Sequence, residues 1–156
     1  EIGKVKETLG KIDILVNNAG MSDSTPIDNY TAQQFAKVMQ LNVSAMMNCI
    51  MPTVKIMKEQ GGGCILNTSS MVSICGQPSG VAYPTSKSAV NGLTWSLARE
   101  LGPSRIRVNA VAPGITKTDM VAALPKEMID PFLFLASDMA SYVTGEILSV
   151  DGAMRT

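Results

Sequence analysis

The 156-residue sequence predicts an α/β protein in which helices cover both faces of a parallel β-sheet. Short apolar runs without polar alternation recur along the chain, which is typical of strands buried on both faces. Helical segments separate these runs, and strand–helix alternation is the rhythm of a parallel sheet. Polar residues or a Pro-Gly pair follow the first three runs, at the strand ends where such sheets bind ligands.

Four apolar runs are the predicted strands, within KIDILVNNAG, CILNTSS, RIRVNAVAPG and GEILSVDG. The first strand is predicted at residues 12–16 and the second at residues 64–68, and Pro113 with Gly114 breaks the third. The ends that follow, at residues 17–20, 69–70 and 113–114, are therefore expected to meet at one edge of the sheet.

Helices are predicted before the first strand and in each connection between strands. The longest follows Thr31, its predicted N-cap, keeps apolar residues at helical spacing at positions 35, 39, 43 and 46, and ends at three glycines. The next, AYPTSKSAVNGLTWSLARELG, is closed by Gly102, and Pro84 is tolerated because an N–H in the first turn would be unpaired. FLFLASDMAS is the last helix.

Composition excludes several classes of function. Thirteen basic and thirteen acidic residues leave no excess charge for nucleic acid, and no apolar run is long enough to predict a membrane span. The chain has no histidine, which removes Ser-His-Asp and Cys-His nucleophiles and histidine-bearing metal sites. Three cysteines without close pairs match no metal-ligand spacing and suit a reducing compartment, so we predict a cytoplasmic protein that binds no metal.

Tyr83 and Lys87 lie four residues apart on one predicted helix, so their side chains share a face. A free phenol has a pKa of about 10, and an ammonium within about 4–6 Å lowers it. The pair can therefore work as a general acid and base near neutral pH. Taken alone, the same spacing also fits a pair of residues on the surface of a helix.

Ser70 comes just after the end of the second strand, thirteen residues before Tyr83, so the strand end and the helix start can converge on one cleft. No histidine is present to activate a serine nucleophile, so we expect this hydroxyl to donate a hydrogen bond to a carbonyl oxygen. Neighbouring residues of a strand face opposite ways, which leaves Ser69 as the alternative, and the spacing favours Ser70.

The segments LVNNAG, LNVSA, NTSS, YPTSK and VNAVAPG resemble, in order and spacing, those of the short-chain dehydrogenase/reductase family. FLASDMASYVTGEILSVDGAM resembles the carboxyl end of its bacterial members, so the resemblance covers residues 1–154. It implies a Rossmann-like, doubly wound, three-layer fold. It also implies interconversion of a ketone and a secondary alcohol with NAD or NADP, on a small-molecule substrate of the 3-oxoacyl thioester or bile-acid hydroxysteroid type.

The resemblance also implies roles for single residues. Tyr83 would give its proton to the substrate oxygen as the nicotinamide delivers hydride to carbon, and Ser70 would hold the carbonyl. Lys87 would lower the pKa of Tyr83 and hydrogen-bond the nicotinamide ribose. Asn42, in LNVSA, would hold a water that connects Lys87 to solvent. Without the family, Asn42 would be interpreted as a polar residue that breaks a buried helix.

Two stretches would contact the coenzyme according to the same resemblance. The stretch on the adenosine side consists of Asn18, Ala19 and Gly20. The stretch on the nicotinamide side consists of Pro113, Gly114 and Thr116, with Thr118 near the phosphates. Glycine allows close approach of a backbone, but the first stretch would otherwise be interpreted only as a turn after a strand.

The sequence departs from the family pattern in two places. The strand, Gly-rich phosphate turn and further strands that open the family do not precede Glu1, and no G-x-G-x-x-G occurs. Only a short segment separates Met120 from PFLFLASD, where relatives place a substrate-covering helix pair, which suggests a gap near residues 130–132. We therefore expect residues 1–156 to be the C-terminal part of a single dinucleotide-binding domain, lacking its N-terminal strands and part of the substrate lid.

The resemblance implies a homotetramer, because the long helix after Thr31, the catalytic helix and the last strand are the usual oligomer surfaces of the family. A different class of function is a truncated, inactive subunit that assembles with a full-length relative. The missing Gly-rich turn favours this alternative, and retention of Ser70, Tyr83 and Lys87 weighs against it.

Overall fold

A computed structural model describes residues 1–114 and 126–153. Within these residues four parallel strands form one sheet, in the order in which they occur along the chain. They are β1 (Ile14–Asn17), β2 (Gly63–Thr68), β3 (Ile106–Pro113) and β4 (Ile147–Val150). The predicted α/β class with a parallel sheet is confirmed.

The first strand begins two residues later than predicted. The side-chain amide of Gln60 accepts a hydrogen bond from the N–H of Ile12 and donates one to its carbonyl oxygen. Both backbone groups of Ile12 are therefore bound to the end of a helix, and the apolar side chain joins the core without the residue entering the sheet.

The described helices are α1 (Ile2–Leu9), α2 (Ala32–Met39), α3 (Ala45–Gln60), α4 (Val72–Cys75), α5 (Ala82–Leu101) and α6 (Lys126–Ala136). Thr31 caps α2 in a reciprocal capping box with Gln34, and Gly61 ends α3 with a φ of 89°. The long helix predicted after Thr31 is interrupted by one π turn, Gln40–Ser44. α6 begins earlier than predicted and is continuous through residues 130–132 with Pro131 inside it.

Helices pack on both faces of the sheet, as predicted. Ile65 and Val108 point to the face covered by α3 and α5, where methionines and leucines fill the core. Leu66 and Val111 point to the opposite face, against Leu135 of α6. Adjacent residues of β2 thus face opposite layers, and each buried side chain of this size contributes about 1.5–3 kcal/mol to folding.

A buried polar chain connects the carboxyl edge of the sheet to α5. Asn17 at the end of β1 donates to the side chain of Asn67 in β2 over 2.9 Å. Asn67 in turn donates to Thr94 of α5 over 2.9 Å. Because buried amides are held by such bonds, α5 has a fixed position relative to the ends of β1 and β2. No helix in the described ranges is long and apolar enough to cross a membrane.

Candidate active site

Tyr83 and Lys87 lie in the first turns of α5, at the carboxyl end of β2. The Lys87 ammonium is 5.7 Å from the centroid of the Tyr83 ring. It donates a hydrogen bond of 2.7 Å to the carbonyl oxygen of Thr68, the last residue of β2. The structure therefore brings the two residues together at the end of a strand, with Lys87 buried behind the tyrosine.

Burial lowers the pKa of Lys87 to about 8 from the ordinary value of 10.5. The cause is loss of water around the ammonium, which disfavours its charged form. The two ion pairs found among the described residues join other side chains, Lys4 with Glu1 and Lys11 with Asp13. With a pKa of about 8, Lys87 is still mostly protonated at neutral pH, and a rise of about one pH unit removes much of its charge.

The two candidate serines point to different parts of the structure. Ser69 is buried and donates to the side chain of Asn91 in α5 over 2.6 Å. Ser70 lines the same pocket as Tyr83, and its hydroxyl oxygen accepts a weak bond of 3.4 Å from the N–H of Val72. The geometry thus gives Ser69 a structural contact and places Ser70 beside the tyrosine.

Asn42 lies in the π turn and is buried. Its oxygen accepts from the N–H of Met21 over 2.8 Å, and its nitrogen donates to the Met21 carbonyl and to Ser86, each over 2.9 Å. Ser86 in turn donates to the carbonyl of Tyr83 over 2.7 Å. Asn42 therefore joins the segment after β1 to α5, and π turns occur often at functional sites. The water expected at Asn42 stays a prediction.

The stretch predicted on the adenosine side follows β1 and is exposed. Asn18 accepts a hydrogen bond of 2.9 Å from the Thr68 hydroxyl. A Cβ placed on Gly20 would lie 3.3 Å from the Asn42 oxygen and 3.7 Å from the Lys87 nitrogen. The backbone of Gly20 therefore lies directly against both side chains, and its approach to the coenzyme stays a prediction. Ala19 lies between Asn18 and Gly20 on the exposed stretch.

The stretch predicted on the nicotinamide side is described only in part. Pro113 is buried at the end of β3, and its carbonyl accepts from the N–H of Met71 over 2.8 Å. Gly114 lines the pocket with Ser70 and Tyr83, and a Cβ there would lie 2.8 Å from the Cα of Asp151. Thr116 and Thr118 lie outside the described residues.

The pocket beside Tyr83 has a volume of about 580 Å³. Besides Ser70, Tyr83 and Gly114, its lining consists of Ser24, Met71, Val72, Gly76, Gln77, Pro78 and Ser79. No charged side chain belongs to the described part of this lining. The sequence analysis missed the wall formed by residues 24 and 76–79. The available signal was the GQPSG stretch just before α5.

The chain matches known proteins along almost its whole length. Residues 2–129 match the family described as short chain dehydrogenase. A 3alpha-hydroxysteroid dehydrogenase of Mediterraneibacter gnavus is 64% identical, with 99% of this chain and 70% of the relative aligned. The 3-oxoacyl-[acyl-carrier-protein] reductase FabG of Thermotoga maritima is 36% identical, with 98% and 70% aligned. A solved acetoin dehydrogenase from Enterobacter cloacae superposes with a TM-score of 0.90 at 32% identity, covering 97% of this chain and 67% of that one.

The relatives are longer than this chain. It spans about 70% of these two curated relatives and 63–68% of five similar solved chains. The two curated alignments run over 174 and 172 positions against 156 residues here, so at least 18 and 16 positions of the relatives face no residue of this chain. The alignment lengths do not locate these positions, so the missing part of the substrate lid stays a prediction. From the family match and the identity to these enzymes, the chain belongs to the short-chain dehydrogenase family of oxidoreductases.

Proposed function

We propose that this protein interconverts a ketone and a secondary alcohol on a hydroxysteroid, with NAD or NADP as the coenzyme. The observation that carries the proposal is the placement of Ser70 and Tyr83 on one pocket, whose described lining has no charged side chain, with the Lys87 ammonium directly behind the tyrosine ring. Two donors on one side of a pocket can hold and protonate a carbonyl oxygen.

The residues divide the work as follows. Ser70 donates a hydrogen bond to the substrate oxygen and stabilises the negative charge that develops there. Tyr83 transfers its phenolic proton to that oxygen in reduction and takes it back in oxidation. Lys87, whose charge lies 5.7 Å from the ring centroid, stabilises the phenolate that remains. The Thr68 carbonyl holds the ammonium in this place.

The chain offers groups that fit a nicotinamide coenzyme. The backbone of residues 18–20 is exposed beside Lys87, and Gly20 lacks the Cβ that would crowd Asn42. Asn18, Ala19 and Gly20 would hold the adenosine side, Lys87 and Tyr83 the nicotinamide ribose, and Pro113 and Gly114, with Thr116 and Thr118, the nicotinamide and phosphates. When bound, the coenzyme supplies or accepts the hydride at the substrate carbon.

The pocket supports a compact apolar substrate. Its volume of about 580 Å³ lies within the range of about 300–1,000 Å³ typical of small-molecule sites. Met71, Val72 and Pro78 supply apolar surface for a ring system. A thioester on a phosphate-bearing carrier arm would favour basic side chains, which the described lining lacks. The 64% identity to a 3alpha-hydroxysteroid dehydrogenase supports the same substrate class.

The test compares two substrates. Oxidation of NADH and NADPH is followed with the purified protein and either a 3-oxo bile acid or an acetoacetyl thioester. We expect the 3-oxo bile acid to give the higher kcat/KM, and Tyr83→Phe to remove that turnover. Faster reduction of the thioester would reassign the substrate to the 3-oxoacyl class. Absence of both turnover and nucleotide binding would favour the inactive subunit.

We also propose a homotetramer in the cytoplasm. An apolar groove of about 710 Å³ runs between α3 and α5, with Met51 and Leu97 in its lining, and such surfaces support self-association. The cysteines at 49, 64 and 75 are all unpaired, which suits a reducing compartment. Light scattering should give four times the mass of one chain, and Met51→Glu should reduce it.

A further inference from the structure

Two loops meet beside the pocket. One follows β1 and contains Asp23 and Ser24; the other precedes α5 and contains Gln77, Ser79 and Gly80. These five residues are called the loop junction below. Ser24, Gln77 and Ser79 also line the pocket, so the junction forms part of its wall. The loops are far apart in sequence, and the contacts between them hold this wall together.

Gln77 makes one of the two side-chain hydrogen bonds described between the loops, through its amide nitrogen. Its nitrogen lies 2.8 Å from the carbonyl oxygen of Asp23 in the first loop, and 2.5 Å and 2.7 Å from those of Ser79 and Gly80 in its own loop. The Ser79 hydroxyl adds a bond of 2.8 Å to the carbonyl of Ser24. The amide thus joins one loop to the other and also shapes the loop that carries it.

Gly80 allows the loops to come this close. Its φ is +86°, a conformation that L side chains rarely adopt. A Cβ at this position would lie 2.0 Å from the carbonyl oxygen of Asp23, closer than any real contact. The junction also lies close to the chemistry along the chain, because Gly80 stands three residues before Tyr83.

The first loop is held from its other side as well. The Asp23 carboxylate accepts hydrogen bonds from the hydroxyl of Tyr30 and from the N–H of Thr25. The Asp23 side chain is therefore held by bonds that do not involve Gln77, and the Gln77 amide contacts the carbonyl of a residue that is already anchored.

We propose that Gln77 is a positioning residue that sets the distance between the pocket wall and the Ser70–Tyr83 pair. It does so by joining the two loops and contacts none of the reacting atoms. Without the amide, the wall moves outward and the substrate oxygen spends less time in the reactive position. The kinetic consequence rests on the proposed ketone–alcohol activity, whereas the consequence for loop mobility does not.

The kinetic test compares Gln77→Met with Gln60→Met. Methionine keeps the length of glutamine and removes its amide. Gln60 is the matched control, because its amide binds the carbonyls of Ile12 and Gly62 over 2.7 Å and 3.0 Å at the other end of the sheet. We expect Gln77→Met to lower kcat/KM for a 3-oxo bile acid about tenfold while the coenzyme KM stays within about twofold. Gln60→Met should change neither constant.

Hydrogen exchange followed by mass spectrometry provides the second test. In Gln77→Met, amides in residues 21–31 and 76–82 should exchange about tenfold faster than in the wild type, and Gln60→Met should leave them unchanged. Unchanged exchange in Gln77→Met overturns the proposal, even if kcat/KM falls, because Gln77 would then act by direct contact. If the wild type reduces no substrate, the proposed function fails, and the exchange measurement still decides on Gln77.

Discussion

Replacing Lys87 with methionine should stabilise the fold while removing its activity. The pKa of Lys87 falls from 10.5 to about 8 on burial, and this drop corresponds to about 3 kcal/mol of destabilisation at neutral pH. Lys87→Met removes the buried charge and retains the apolar stem. The bond to the Thr68 carbonyl is also lost, at a cost of about 1 kcal/mol. We therefore expect a net gain of about 2 kcal/mol at pH 7.

The pH dependence gives the sharper test. Below about pH 8 the lysine is charged in both folded and unfolded states, so the penalty of burying it is fully present. Between about pH 8 and 10.5 the unfolded chain holds the proton more tightly than the folded protein does, so wild-type stability rises with pH. The advantage of Lys87→Met should shrink across this window and become a loss of about 1 kcal/mol above it, where only the missing hydrogen bond remains.

Urea unfolding of both proteins at several pH values between 7 and 11 measures this difference. Lys37→Met is the control, because Lys37 is exposed on α2 and its substitution should stay within about 0.5 kcal/mol of wild type at every pH. A Lys87→Met variant that is less stable at pH 7, or whose stability difference from wild type does not change with pH, would refute the reasoning.

Three further predictions follow from the geometry. Tyr83→Phe should lower kcat by about 10²–10⁴-fold with nucleotide affinity unchanged in a fluorescence titration, and near-normal turnover would exclude Tyr83 as the acid. Burial and then the bond to Asp23 raise the pKa of Tyr30 to about 12, so stability should fall as pH rises from 10 to 12. At pH 11 Tyr30 is still mostly neutral in the native protein, so native Tyr30→Phe and native wild type should show the same tyrosinate absorbance. After unfolding, the variant should show less tyrosinate absorbance than wild type. Gly80→Ala should lower the free energy of unfolding by at least about 2 kcal/mol more than Gly76→Ala does, as measured by urea unfolding. Both glycines have a positive φ, but only a Cβ at Gly80 would meet a carbonyl oxygen. Equal losses in the two variants would contradict this close contact.

Sequence patterns predicted the parts of the fold that depend on local periodicity. The strand ends, the cap at Thr31 and the i,i+4 relation of Tyr83 and Lys87 are written in neighbouring residues, so the pattern suffices to place them. The choice of Ser70 over Ser69 followed from its spacing to Tyr83, and the structure places Ser70 on the same pocket as that tyrosine.

Contacts between distant backbone groups could not be predicted in this way. The Gln60 amide takes the place of sheet bonds at Ile12, and the Gln77 amide joins two loops; either glutamine in isolation looks like an ordinary surface residue. The carbonyl that holds Lys87 belongs to Thr68, and a carbonyl has no signature in a sequence. The π turn was missed for a related reason, because Asn42 is bound by Met21, which precedes the helix by a whole loop.

The π turn at Gln40–Ser44 also means that the number of residues between α2 and α3 determines where Asn42 lies. Such a turn holds one residue more than an α-helical turn does. Deleting one residue there, such as the partly exposed Leu41, would allow residues 32–60 to close as a regular helix with a complete bonding pattern. The same deletion would rotate α2 against α3 by about 100° and carry Asn42 away from Met21 and Ser86. A family member one residue shorter at this point would therefore have a regular helix but would lose the hydrogen bonds by which Asn42 joins the segment after β1 to α5.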